Sequence, residues 1–165
     1  MQSAKNVVDA RVDAAWIASR VGDPSVRIVE IDVSKAAYAA GHIPGAVLWN
    51  AYTDLRHPDY LPISANELQS LLRKSGVTSD VTVVFYGYGA HLGFWLLSSH
   101  GHGKARLMDG SREQWIDAGG RSSTDVPTPK RNMRSPAKRA FFVERGRARH
   151  DRPARKRDHR HPIQG

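Results

Sequence analysis

Short apolar runs alternate with amphipathic stretches along this chain, and the alternation predicts strands and helices in turn. Val26 to Ile31 reads as a strand ending at Asp32, and Thr82-Val83-Val84-Phe85-Tyr86 as a second, built of β-branched and aromatic residues. Ala46-Val47-Leu48 and Ala105-Arg106-Leu107-Met108 give two more. Between them, Asp13 is placed to N-cap a helix through Val21, with Trp16, Ile17 and Val21 on one face and Gly22-Asp23-Pro24 as the stop. A short helix runs from Ser34 to Ala40 and closes at Gly41. Ser64 and Glu67 match a capping box, opening a helix that ends at Gly76. Leu92–Ser99 and Ser111–Ala118 supply the last helices. Strands that are apolar on both faces, separated by helices and short connections, predict an α/β fold. The expected sheet is parallel, of about five strands, with helices on both faces and right-handed crossovers.

Ligands of such sheets bind at the carboxyl ends of the strands. Asp32, Asp109 and the loop Gly87-Tyr88-Gly89-Ala90-His91-Leu92 all fall at such ends, so they are expected around one mouth. The loop joins a buried strand to a helix, which leaves backbone N–H groups unpaired beside the positive end of the helix dipole. A cradle of that kind favours an anion, a thiolate or a persulfide. No cysteine occurs in the 165 residues, so disulfides, thiolate metal ligands and cysteine catalysis are excluded for this chain.

The formal net charge of +9 is unevenly placed. Lys130–Gly165 carries thirteen Lys and Arg against Glu144, Asp151 and Asp158, whereas residues 1–129 sum to −1. A folded domain over residues 5–124 is expected, followed by a basic, Arg- and Pro-rich tail over 125–165 that should be disordered. Only Ala140-Phe141-Phe142-Val143 breaks the polar character of the tail. The first residues show no apolar signal segment and no run is long enough to span a bilayer, so a cytoplasmic protein without membrane contact is the expectation.

Three motifs, in order, resemble the rhodanese-like sulfurtransferase family over roughly residues 7–121. They are Asp32-Val33 with Tyr38-Ala39-Ala40-Gly41-His42-Ile43-Pro44-Gly45-Ala46, the strand–loop–helix of Thr82–Ser99, and Met108-Asp109-Gly110 with Trp115 and Ala118-Gly119. The resemblance implies a rhodanese-like fold and transfer of sulfane sulfur from thiosulfate or 3-mercaptopyruvate through a cysteine persulfide. In active members that cysteine opens the loop after the central strand, and Gly87 occupies its place here. Ala90 and His91 stand where basic residues would hold the donor, Ser34 where arginine is common, and Ser111 in place of a closing glycine. The family also occurs as tandem pairs with a cysteine-free N-terminal copy, which this chain resembles. The resemblance therefore implies a pseudoenzyme domain, inactive alone, whose partner would be a cysteine-bearing rhodanese domain or a small thiol or anion. The basic tail is then expected to be truncated or out-of-frame sequence.

Other readings attach to the same residues. Gly87-Tyr88-Gly89 begins like a dinucleotide fingerprint, but the next glycine, Gly93, comes one position late. The tail could make nonspecific, salt-sensitive polyanion contacts, which gives a nucleic-acid-associated protein as an alternative. His100 and His102 have no third ligand nearby, so neither a metal nor another cofactor is expected. Asp32 and Asp109 are expected to receive backbone N–H groups of the following turn. Trp16, Trp49, Trp95 and Trp115 read as core.

Overall fold

The computed structural model describes residues 10–128. Five parallel strands form one sheet: β1 Arg11–Val12, β2 Val26–Asp32, β3 Val47–Asn50, β4 Thr82–Tyr86 and β5 Ala105–Met108, ordered β1-β5-β4-β2-β3. Five helices join them: α1 Ala14–Ala18, α2 Lys35–Ala40, α3 Ala65–Lys74, α4 Ala90–Ser99 and α5 Arg112–Asp117. The central strand β4 buries Val83 through Tyr86 because both its faces are covered. On one face α3 and α4 bury Leu68, Leu72, Leu96 and Leu97 against Val29, Ile31, Val83 and Phe85. On the other, Ile17 of α1 and Trp115 of α5 pack against Ile28, Val84, Tyr86 and Met108.

Local chemistry sets the helix starts. The side chains of Asp13, Ser34, Ser64 and Ser111 each accept a backbone N–H of the first turn, and Ser64 with Glu67 closes the expected capping box. Helix α4 lies close to the sheet because Gly93 faces it. A Cβ there would stand 2.3 Å from Ile31 Cδ1 and 2.9 Å from the Phe85 ring, so only glycine permits this approach. Gly93 is thus a packing residue, which accounts for its place outside the dinucleotide spacing.

Three expectations are corrected. Helix α1 ends at Ala18 rather than Val21, and Val21 is exposed, because the chain turns through Ser19–Gly22 before Pro24. Trp49 and Trp115 are core, but Trp95 is 52% exposed on α4, and Trp16 is partly buried beneath the Arg20 guanidinium, 4.1 Å from its ring. The two-residue strand β1 was not expected; it pairs Arg11 with Leu107 and Val12 with Met108. Residues 1–9 and the basic segment from Pro129 onward, including the expected disorder and Ala140–Val143, lie outside the described residues. Among the described residues no helix is long and apolar enough to cross a membrane.

Candidate functional site

Strand β4 delivers the loop to the carboxyl edge of the sheet. Gly87 has φ +91°, a backbone conformation that suits glycine, and Tyr88 projects outward, 73% exposed. Gly89 then N-caps α4 without a side-chain cap. Fewer loop amides reach the mouth than expected. Gly89 N–H donates to Ile31 O (3.0 Å), Ala90 N–H to Gly87 O (3.2 Å) and Leu92 N–H to Gly89 O (2.9 Å). Among the described residues, no acceptor takes the N–H groups of Tyr88 and His91.

Gly87 lies between two hollows. One, of about 350 Å³, is bordered by Glu30, Asp32, Tyr86, Tyr88 and the Gly110–Glu113 turn. The other, of about 990 Å³, runs between α4 and the β5–β1 edge, past Ala90, His91, Phe94 and Leu107. Asp32 therefore reaches the mouth, and its Oδ1 accepts the N–H groups of Val33 (2.6 Å) and Ser34 (3.2 Å), as expected for a strand-end carboxylate. Asp109 borders neither hollow. Its carboxylate pairs with Arg11 instead of the following turn, because β1 runs beside β5 and brings the guanidinium to it.

The smaller hollow has a polar floor that the sequence reading missed. Glu30 and Tyr86 are register partners on β2 and β4, and both are buried on the α5 side of the sheet. Tyr86 donates its hydroxyl to Glu30 Oε2 and accepts the N–H of Ile43 at 3.1 Å. Arg112, from the first turn of α5, stands 3.6 Å from Glu30 Oε1 and donates to the carbonyls of Ala37 (2.9 Å) and Gly41 (2.7 Å). Burial pushes the Glu30 carboxyl up, an effect that Tyr86 and Arg112 partly offset. Burial, then the hydrogen bond to Glu30, raises the Tyr86 phenol well above its ordinary range, and burial together with Glu30 pushes Tyr38 up to about 12. One signal was available in the sequence. Glu30 stands among the apolar residues Ile28, Val29 and Ile31 of β2, and a buried carboxylate needs a donor and a cation.

His42 is fully buried, stacked on Tyr38 with ring centroids 3.8 Å apart. Its ring nitrogens face the carbonyls of Tyr38 and Asp125, each at 2.9 Å, and its backbone bridges Ser123 in both directions. Chemically, the mouth combines a guanidinium, two helix-terminal amides and buried carboxyl and phenol groups. The loop itself presents no thiol and no aliphatic hydroxyl: Gly87, Gly89 and Ala90 have no reactive group, and Ser111 on the facing turn is occupied as the N-cap of α5. Among the described residues, no three His, Asp or Glu side chains are grouped to hold a metal ion.

Comparison with known proteins supplies the context. The Rhodanese-like domain family matches residues 3–118. A sulfur carrier protein, TtuD, of Thermus thermophilus is 36% identical over 124 residues, covering 71% of this chain and 43% of the relative. A putative thiosulfate sulfurtransferase, SseA, of Mycobacterium tuberculosis is also 36% identical over 124 residues, covering 71% of this chain and 41% of the relative. The chain thus spans less than half the length of these curated relatives. Among solved structures, the 3-mercaptopyruvate sulfurtransferase SseA of Escherichia coli aligns with a TM-score of 0.64 at 21% identity, over 72% of this chain and 52% of that one. At that identity the likeness concerns the fold.

Proposed function

The chain belongs to the rhodanese-like domain family, and from that premise we propose that it is a sulfurtransferase-type domain of the thiosulfate or 3-mercaptopyruvate kind that does not turn over by itself. One observation carries the reading: the loop that would present a persulfide-forming cysteine has Gly87 there, in a chain without cysteine. Sulfane sulfur transfer through an enzyme-bound persulfide needs a thiolate to take the sulfur and release it to an acceptor. Nothing in this chain can form that bond. In a thiosulfate:cyanide assay the purified chain is expected to form no thiocyanate above the uncatalysed background. Enzyme-dependent turnover would overturn the proposal.

The surviving role is to cover the active face of a cysteine-bearing rhodanese domain, with the mouth as the contact. Val33, Tyr52 and Tyr88 are exposed at this end of the sheet, each just past β2, β3 or β4. Exposed aromatics beside a polar hollow suit a protein partner. Tyr88→Ala should leave the thermal midpoint unchanged and weaken capture of an isolated cysteine-bearing rhodanese domain by roughly tenfold. Equal capture by the variant and the parent would remove the mouth from the contact. A short thiol or oxyanion in the smaller hollow, beside Arg112 and Tyr88, is the smaller ligand this surface could accept.

A further inference from the structure

The atoms around the ring of His42, in the turn after α2, decide how many protons it carries. The residue is 0% exposed, with Nδ1 2.9 Å from Tyr38 O and Nε2 2.9 Å from Asp125 O. Both neighbours are backbone carbonyls, which accept hydrogen bonds and cannot donate them. A neutral imidazole has a single N–H. In either tautomer its other nitrogen would set a lone pair against a carbonyl oxygen at hydrogen-bond distance, with no room for a water between them. Only the imidazolium donates to both carbonyls.

Burial by itself would expel the second proton, so the surroundings must hold it. The Tyr38 ring lies 3.8 Å from the imidazole, centroid to centroid, with 6° between the planes, and the face of a phenol ring attracts a cation. Its hydroxyl is spent elsewhere, donating to Ala46 O at 2.7 Å. Glu30 of β2 supplies a buried carboxyl. Burial raises that carboxyl, and attraction to His42 is among the influences that lower it, behind Tyr86 and Arg112. Arg112 of α5 repels a second cation, but its guanidinium is engaged by the carbonyls of Ala37 and Gly41. Tyr86 of β4 binds Glu30 and the Ile43 N–H next to His42, and Asp125, in the chain after α5, is exposed.

We propose that His42 is held as an imidazolium balanced by Glu30, and that its second proton is a pH-sensitive latch fastening residues 123–125 to the domain. Backbone bonds between His42 and Ser123, 2.9 Å in each direction, hold the segment whatever the charge on the ring. The Nε2 contact adds its hold only while the proton is present, and a charge-assisted bond is the stronger kind. As pH rises, Nε2 gives its proton to solvent past the exposed Asp125, while Nδ1 stays bonded to Tyr38 O within its own turn. A lone pair then faces Asp125 O, and the segment loosens. The latch does not involve the Gly87 loop, so it neither requires nor supports the reading given above for that loop.

The test uses the full chain labelled with ¹⁵N and ¹³C, with the ring nitrogens of His42 assigned through bonds from its backbone. Spectra taken about one pH unit above the ordinary imidazole value of ~6.5 should show both nitrogens protonated, where free histidine has lost its second proton. On raising the pH further, the Nε2 signal should move to that of an unprotonated nitrogen. The amides of Ser123 and Asp125 should shift and exchange faster with the same midpoint. Glu30→Gln removes the balancing charge and should lower that midpoint by about half a pH unit, roughly threefold in proton affinity. An unprotonated ring nitrogen at the starting pH would overturn the proposal, because the ring would then be neutral in the fold. So would amides at 123 and 125 that do not follow the ring, or an unmoved midpoint in folded Glu30→Gln. Amide spectra establish whether that variant is folded, and if it is not, the two readings on the parent chain decide alone.

Discussion

Gly87→Cys is expected to lower the stability of the domain by about 1–3 kcal/mol and to give a thiol no more acidic than a free cysteine. The cost has two sources. At φ +91° an L side chain is strained, and a Cβ at this position would stand 2.8 Å from Ile31 O, a backbone atom held by the Gly89 amide. The missing acidity follows from the surroundings. Three of the loop amides already serve backbone carbonyls, and the new Cβ would lie 3.4 Å from Glu30 Cγ, beside a carboxyl that opposes a thiolate. Restoring the nucleophile therefore should not restore the chemistry, and thiosulfate should leave no persulfide on the variant. Denaturant melts and a pH titration of thiolate absorbance check both halves, with Gly87→Ala separating strain from thiol chemistry. A thiol titrating well below ~8.5 would show that the loop still forms a complete anion cradle.

Arg112→Ala should be the more damaging change to the fold, at about 3–5 kcal/mol near neutral pH, because it strands a carboxylate that is 2% exposed. It also removes the donor to two carbonyls, of Ala37 and Gly41. The penalty should depend on pH in a definite direction. Burial raises the Glu30 carboxyl in the folded protein above its ordinary value of 4.5, so the folded state binds the proton more tightly than the unfolded chain. The contribution of this group is then favourable below the unfolded value and is lost as pH rises through the folded one. Arg112 moderates the rise, so removing it widens the window and enlarges the loss at neutral pH. Urea melts of the parent and Arg112→Ala should therefore converge as pH is lowered toward about 4.5. Glu30→Gln in the Arg112→Ala background should flatten this dependence. A stability difference that stays constant across pH would mean that the lost carbonyl contacts, not the stranded charge, set the cost.

Much of this architecture could be read from local pattern, and what could not be read had a common cause. The β4 strand, Thr82–Tyr86, and β5, Ala105–Met108, lie where their apolar runs put them, and α2, α3 and α5 begin at the serines that cap them. Strand β1 was invisible because two residues carry no alternation, and they become a strand only by pairing with β5. The reach of α1 was overestimated because Val21 continues the helical period, while the turn through Gly22 overrides it. At the site, the loop position, Asp32 and the absence of a cysteine were legible. The Glu30–Tyr86–Arg112 floor was not, since its members are distant in sequence and meet only through the β2–β4 register and the placement of α5. Asp109 was misassigned for the same reason, its partner Arg11 lying at the far edge of the chain.

The clamp on His42 bears on how this unit could be joined to another. Tyr38, His42, Ser123 and Asp125 are tied by ring and backbone contacts, so residues 123–125 are held at a fixed place against the turn after α2. A module appended after Asp125 would inherit its bearing from a histidine more than eighty positions upstream. Substituting that one imidazole would loosen the coupling between neighbours while leaving the surfaces that meet untouched.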